Sequence, residues 1–254
     1  VSAEPVHWNA EALWQTVEPL LPGFSVELLP EIDSTNTELM RRARTGQLDP
    51  VLLVAERQTA GRGRLGRDWQ GAPGLALAFS LGMPLTPPDW SGLSLAVGLS
   101  VVSSLHPSLQ LKWPNDVWLG ERKLAGILIE TALFGDTRYS VIGIGINIGA
   151  LDGHAMRTPP AALVELLPHM TAPLALQQVV PALVADVQAF ARNGFAPLRE
   201  QFHARDLLYG RDVECTDGTR GIARGVDAAG ALLVHTASGL QKITSAEVSV
   251  RPSP

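Results

Sequence analysis

Apolar and polar positions alternate along this chain in two spacings, and the switches between them divide it into elements. A stretch around 10–20 carries helical spacing and is closed off by Pro19, Pro22 and Gly23. Positions 26–32 alternate well enough for a strand. Thr35 and Glu38 then form a capping box for a helix reaching to about Ala43. The apolar run at 51–54 predicts a buried strand, and 75–81 predicts another. The segment 90–105, rich in Leu, Val, Ala and Ser, reads as a buried helix. Short strands at 111–113 and 117–119 flank the turn Pro114-Asn115-Asp116. A long apolar strand at 123–133 turns at Gly135-Asp136 and returns over 139–148. Gly143 and Gly145 inside the return mark a bulge or a close approach by another group.

A proline-containing link at 158–160 leads to helices near 161–167, 174–192 and 197–206. From Arg211 onward, short β-like runs are separated by Asp217-Gly218, Ala229-Gly230 and Ser238-Gly239, which predicts a small barrel. The chain thus divides into an N-terminal extension over 1–25, a main domain over 26–207 and a small β-domain over 208–254, with no internal repeat. The long strands 123–133 and 139–149 are adjacent. Placing the later one at a sheet edge predicts a homodimer paired through that edge.

Composition narrows the function. The chain has 254 residues and a hydrophobic fraction of 46%, enough for a sizeable core. A net charge of -5 argues against nucleic acid as the main partner. Cys215 is the only cysteine and the six histidines are scattered, which argues against a disulfide framework or a zinc site. No apolar run is read as long and uncharged enough to span a bilayer, and the N-terminus lacks signal-peptide character. The expectation is a soluble, cytoplasmic protein with no membrane contact.

Against that acidic background one stretch stands out. Gly61, Gly63 and Gly66 free the backbone after the strand at 51–54, while Arg62, Arg64 and Arg67 add three permanent charges. Such a loop repels itself and does not fold on its own unless an anion enters it. Its G-x-G-x-x-G spacing matches the dinucleotide fingerprint, but loop composition rather than a helix follows, so that reading ranks last. Ser34, Thr35 and Asn36 crowd a helix N-terminus with groups suited to a polar ligand. A second cluster is Lys112-Trp113-Pro114-Asn115-Asp116 followed by Arg122-Lys123-Leu124-Ala125-Gly126. Taken singly these are ordinary turn and hairpin residues, and Trp113 and Trp118 suit a core.

Together with Asp33-Ser34-Thr35-Asn36, Gln58-Thr59-Ala60-Gly61-Arg62-Gly63-Arg64 and Gly145-Ile146-Asn147, these stretches resemble the biotin protein ligases, in the family's order, over roughly 26–251. The resemblance implies an α+β fold: a mixed β-sheet flanked by helices, like the class II aminoacyl-tRNA synthetases, followed by a small SH3-like β-barrel. It implies a monofunctional ligase, since only about 30 residues precede the first motif and leave no room for the winged-helix DNA-binding domain of some members.

The implied reaction joins biotin to AMP from ATP, then passes biotin to a lysine of a biotin carboxyl carrier protein. Lys123, with Arg64, is the implied catalytic pair. Ser34, Thr35, Asn36, Gln58, Gly61, Arg62, Gly63, Arg64 and Lys123 are implied to bind biotin. Arg64, Arg67, Trp69, Lys112, Asn115, Asp116 and Asn147 are implied to meet the nucleotide, with Trp69 closing over the adenylate and Asp116 placing Mg²⁺. No tightly bound prosthetic group is implied. Rival readings are a lipoate–protein ligase or octanoyltransferase of the same fold, and a non-catalytic biotin sensor.

Overall fold

The structure is a computed structural model, and it describes residues 6–151, 158–244 and 250–252. After α1 (Ala10–Val17), strand β1 (Ser25–Ile32) and strand β2 (Val51–Gln58) pair in parallel around the crossover helix α2 (Thr35–Arg44). The chain continues through β3 (Ala76–Pro84), α3 (Leu93–Leu105), β4 (Gln110–Lys112), β5 (Asp116–Leu119), β6 (Arg122–Phe134) and β7 (Thr137–Asn147). These strands form one mixed seven-stranded sheet in the order β1-β2-β3-β7-β6-β5-β4. Strand β7 therefore lies in the middle of the sheet, between β3 and β6. The edge placement expected for it was wrong, and with it goes the argument for a homodimer through that edge. Local apolar pattern marks a strand as buried but does not say which neighbours bury it.

The sheet has two covered faces, and the period of two along a strand divides them. Leu52 and Val54 of β2 join a large core with Leu77, Phe79 and Leu81 of β3 and Ile142, Ile144 and Ile146 of β7. Helix α3, helix α4 (Ala172–Asn193) and α1 complete that core. The opposite positions, Val51, Leu53, Tyr139 and Val141, pack against Leu39 and Ala43 of α2. By length and composition α4 is long and apolar enough to cross a membrane, contrary to the sequence expectation. Here its Leu176, Val180, Leu183 and Val187 are buried in the core against α3, where the sheet provides the apolar surroundings.

The cap of α2 also differs from expectation. Ser34, not Thr35, is the N-cap, accepting from the Thr37 amide. Thr35 is thereby the first helical residue and Glu38 turns outward to Arg41 and Arg42.

Beyond α5 (Arg199–His203) a second sheet follows, built from β8 (Asp212–Cys215), β9 (Arg220–Val226), β10 (Leu232–Thr236), β11 (Gly239–Ile243) and β12 (Val250–Pro252). Its order is β11-β10-β9-β8-β12, all antiparallel. Trp113 ties it to the main domain: the indole, 1% exposed, donates to the Gly230 carbonyl at 3.0 Å. Arg211 and Glu121 add an ion pair across the same seam, at 2.8 Å.

Candidate active site

The sheet face under α2 is hollow because small residues line up in register across it. Ala55 of β2, Ala78 of β3, Gly145 of β7 and Gly126 of β6 stand opposite one another in turn, and the row ends at Asp116 and Lys112. The next row holds Ser80, Gly143 and Leu128. Over this floor lies a cavity of about 550 Å³. The glycines answer close approaches, as their place inside a strand predicted. A Cβ on Gly143 would stand 2.1 Å from Asn36 Oδ1, and one on Gly145 would stand 2.3 Å from the Trp69 indole.

One end of the cavity is neutral and polar. The Thr35 amide donates to Gln58 Oε1 at 2.8 Å, and Ser80 Oγ lies 2.7 Å from Thr35 Oγ1 and 2.6 Å from Asn36 Oδ1. Asn36 Nδ2 donates to the Leu128 carbonyl at 3.2 Å and to Glu130 at 3.0 Å. Its carboxamide is therefore saturated by protein groups. Ser80 and Glu130 were missed by the sequence reading: a lone serine in the apolar run of β3 and a lone glutamate late in β6 carry no local motif.

The other end is charged. Lys112, Lys123, Arg64 and Arg67 all line it, with Asp116 among them. Lys123 Nζ stands 2.7 Å from Asp116. Strict alternation along β6 would aim Lys123 away from Gly126, Leu128 and Glu130. A β-bulge opposite Val117 and Trp118 adds one residue and turns Lys123 onto the cavity face. Its backbone is clamped as well. The Lys123 amide donates to the Pro159 carbonyl, and its carbonyl accepts from the Ala161 amide and from Asn147 Nδ2.

Asn147 also donates to the Ala161 carbonyl and does not line the cavity; its side chain holds the backbone on both sides of that contact. Burial weighs against the charge of Lys112 and lowers its pKa, with Asp116 opposing. The Lys112 ammonium lies over the Trp118 ring at 5.0 Å. Burial likewise lowers the pKa of Arg64, which donates to Asn115 Oδ1 at 3.2 Å. Asn115 in turn donates to the Ile127 carbonyl at 2.8 Å, so it fixes where Arg64 sits.

The Gly-Arg segment joins the two ends. Expected not to fold alone, it forms a narrow turn: Gly63 N bonds Arg67 O, and Trp69 N bonds Gly61 O. The repulsion that argued against order is eased from within the protein, because Glu130 supplies a carboxylate to Arg62 at 3.0 Å. Gly61 does not line the cavity; a Cβ there would meet the Trp69 carbonyl at 2.6 Å, so the glycine permits the turn. Ser34, Thr35, Asn36, Gln58, Arg62, Gly63, Arg64, Arg67 and Trp69 do line it, across segments far apart in sequence.

Comparison with known proteins agrees with this geometry. Residues 28–147 match the model of the biotin/lipoate A/B protein ligase family, and residues 210–251 match that of the biotin protein ligase C-terminal domain. The chain is 34% identical over 244 residues to the bifunctional ligase/repressor BirA of Escherichia coli, covering 91% of this chain and 75% of that protein. It is 34% identical over 242 residues to the biotin–[acetyl-CoA-carboxylase] ligase of Paracoccus denitrificans, covering 87% of this chain and 98% of that one. Among solved structures, the biotin protein ligase from Aquifex aeolicus in complex with biotin and ATP superposes with a TM-score of 0.77 at 30% identity, covering 90% of this chain and 99% of that one. With both family models matched and relatives at 34% identity over most of their length, the chain belongs to the biotin protein ligase family.

Proposed function

We propose that this chain is an ATP-dependent biotin ligase, forming biotinyl-5′-AMP and then transferring biotin to a lysine of a carrier protein. The observation that carries this reading is the division of one cavity into a neutral hydrogen-bonding end and a cationic end over an uncharged floor of Ala78, Gly126, Gly143 and Gly145. Biotin has the same division. Its ureido ring meets Thr35, Gln58 and Ser34, its apolar chain crosses the floor, and its carboxylate reaches Lys123. Leaving the ureido groups unpaired on burial would cost a few kcal/mol, so the pocket has to answer them, and this end offers the polar groups to do so.

In the first step a biotin carboxylate oxygen attacks the α-phosphorus of ATP and pyrophosphate leaves. Two anions must meet, so fixed cations are the main catalytic resource. Lys123 sits where the carboxylate and α-phosphate join, and Arg64, Arg67 and Lys112 flank the phosphates. Among the described residues no three His, Cys, Asp or Glu side chains cluster to hold a metal. Asp116, which lines the charged end, is the side chain that would hold the Mg²⁺ accompanying ATP, and the ion would neutralise phosphate charge. In the second step a carrier lysine amine attacks the mixed anhydride and AMP leaves. Trp69, lying over Gly145, offers an aromatic face to the adenylate. The named activity of the Paracoccus relative points to the biotin carrier of a carboxylase as acceptor. The strands after Leu208 are read as a small SH3-like barrel and as a separate unit from 208 on, which the C-terminal family match supports.

The test is mass spectrometry for biotinyl-AMP after incubation with biotin and Mg-ATP, followed by transfer to a biotin carboxyl carrier domain. Adenylate and a single biotinylated lysine are expected. Their absence at saturating substrates, or preference for lipoate in competition, overturns the reading.

A further inference from the structure

The neutral end is a chain of hydrogen bonds with a direction, and one carboxylate sets it. Asn36 Nδ2 and the Arg62 guanidinium both donate to Glu130, which only accepts when ionised. That fixes the Asn36 carboxamide with Oδ1 toward Ser80, at 2.6 Å. An amide oxygen cannot donate, so the single Ser80 hydroxyl proton lies on this contact. Two acceptors face the Thr35 hydroxyl proton, Ser80 Oγ at 2.7 Å and Gln58 Oε1 at 3.2 Å, and with the Ser80 proton committed to Asn36 the shorter contact takes it. Gln58 Oε1 accepts from the Thr35 amide, at 2.8 Å. Thr35 Oγ1 is left with its lone pairs as the outlet of the chain. Every proton from Thr35 to Glu130 points the same way, through Ser80 and Asn36, which are 0% and 4% exposed.

We propose that Glu130 is a positioning residue with two linked effects. It polarises the Asn36–Ser80–Thr35 chain, so that Thr35 presents an acceptor to a urea N–H. It also holds Arg62, so that the Gly-Arg turn is anchored to the same chain that reads the urea. The proposal deepens the ligase reading and rests on it. Gln at position 130 would offer one acceptor oxygen to two donors and turn its own amide donor toward one of them, so the chain and the anchor cannot both persist.

The experiment compares the parent protein with Glu130→Gln and Ser80→Ala. Steady-state pyrophosphate exchange is measured with biotin and Mg-ATP, together with release of preformed biotinyl-AMP and thermal midpoints. Glu130→Gln is expected to raise the biotin KM about tenfold, with kcat changed far less, and to speed adenylate release about tenfold. Ser80→Ala cuts the chain and leaves the Arg62 pair intact; it is expected to raise the biotin KM similarly and, because the adenylate keeps the same urea, to speed adenylate release, but by less than Glu130→Gln does, which loses the anchor as well. In Glu130→Gln, adding Arg62→Met is expected to speed release no further. An unchanged biotin KM in both variants overturns the polarised chain. Parallel losses of kcat and thermal midpoint with no KM change make Glu130 a structural residue and overturn the proposal. Release from Ser80→Ala as fast as from Glu130→Gln overturns the division of roles. No adenylate from the parent overturns the ligase reading itself, a result distinct from active parent and unaffected variants.

Discussion

The two ends of the cavity are built on the same rows of the same sheet, yet they solve opposite problems. At the neutral end Thr35, Asn36, Gln58 and Ser80 satisfy one another, so that end is organised before a ligand arrives. At the charged end, Arg64 and Lys112 have pKa values lowered by burial, with Asp116 their opposing charge. Anions entering there restore what desolvation took away. Preorganisation serves recognition at one end, while stored electrostatic cost serves a reaction between anions at the other.

The largest test of this contrast is Lys123→Ala, which alters the charged end alone. Adenylate formation is expected to fall about 10²–10³-fold in kcat, with the biotin KM shifting only a few-fold, in pyrophosphate exchange. Equal changes in both would erase the division. Gly143→Ala is the reverse experiment. The new methyl collides with Asn36 Oδ1, and neutral-end disruption should cost about 1–3 kcal/mol in denaturant unfolding. The biotin KM should rise while the ATP KM stays near the parent's.

A third carboxylate sharpens the electrostatic side. Asp206, where residues 205–207 cover the edge strand leading into Lys112, has its pKa pushed up to about 6 by burial, against 3.8 ordinarily. The folded state thus holds the proton more tightly, and stability from this group is complete below about pH 4 and lost as pH rises through about 6, at most about 3 kcal/mol in all. Asp206→Asn keeps an acceptor for the Leu208 amide. It should melt higher than the parent at pH 7.5, by about 1–2 kcal/mol, and converge with it near pH 4. ATP binding should keep its pH dependence in that variant if Lys112 is the source. The smallest effect is reserved for Arg57→Ala, whose pair with Glu31 is exposed on the outer strand. Unfolding free energy should move by no more than about 0.5 kcal/mol, and both KM values should not move.

Much of this was legible in the sequence because the relevant information is local. Strands announced themselves by apolar runs, and Gly143 and Gly145 by standing where a strand should carry side chains. The unread parts depend on neighbours. Nothing near β7 says that β3 flanks it, so the supposed edge was misjudged. Ser34 and Thr35 are both good caps, and only the backbone decides between them. Ser80 and Glu130 matter because register sets them against Gly143 and beside Asn36, a fact available only once strands are paired. The aim of Lys123 came from its motif, but the bulge that delivers it is invisible in period-two spacing.

The indole of Trp113 reaches a carbonyl 117 positions later, and Val250 lines the same cavity. On the ribosome these arrive last. At ordinary elongation rates the interval between Trp113 and Gly230 is roughly ten seconds, during which the catalytic sheet can pair while the turn carrying Lys112 and Asp116 lacks its backing. The last-made strands thus act as a buttress for a turn synthesised long before them, and the Val250 wall of the cavity is added only after its floor.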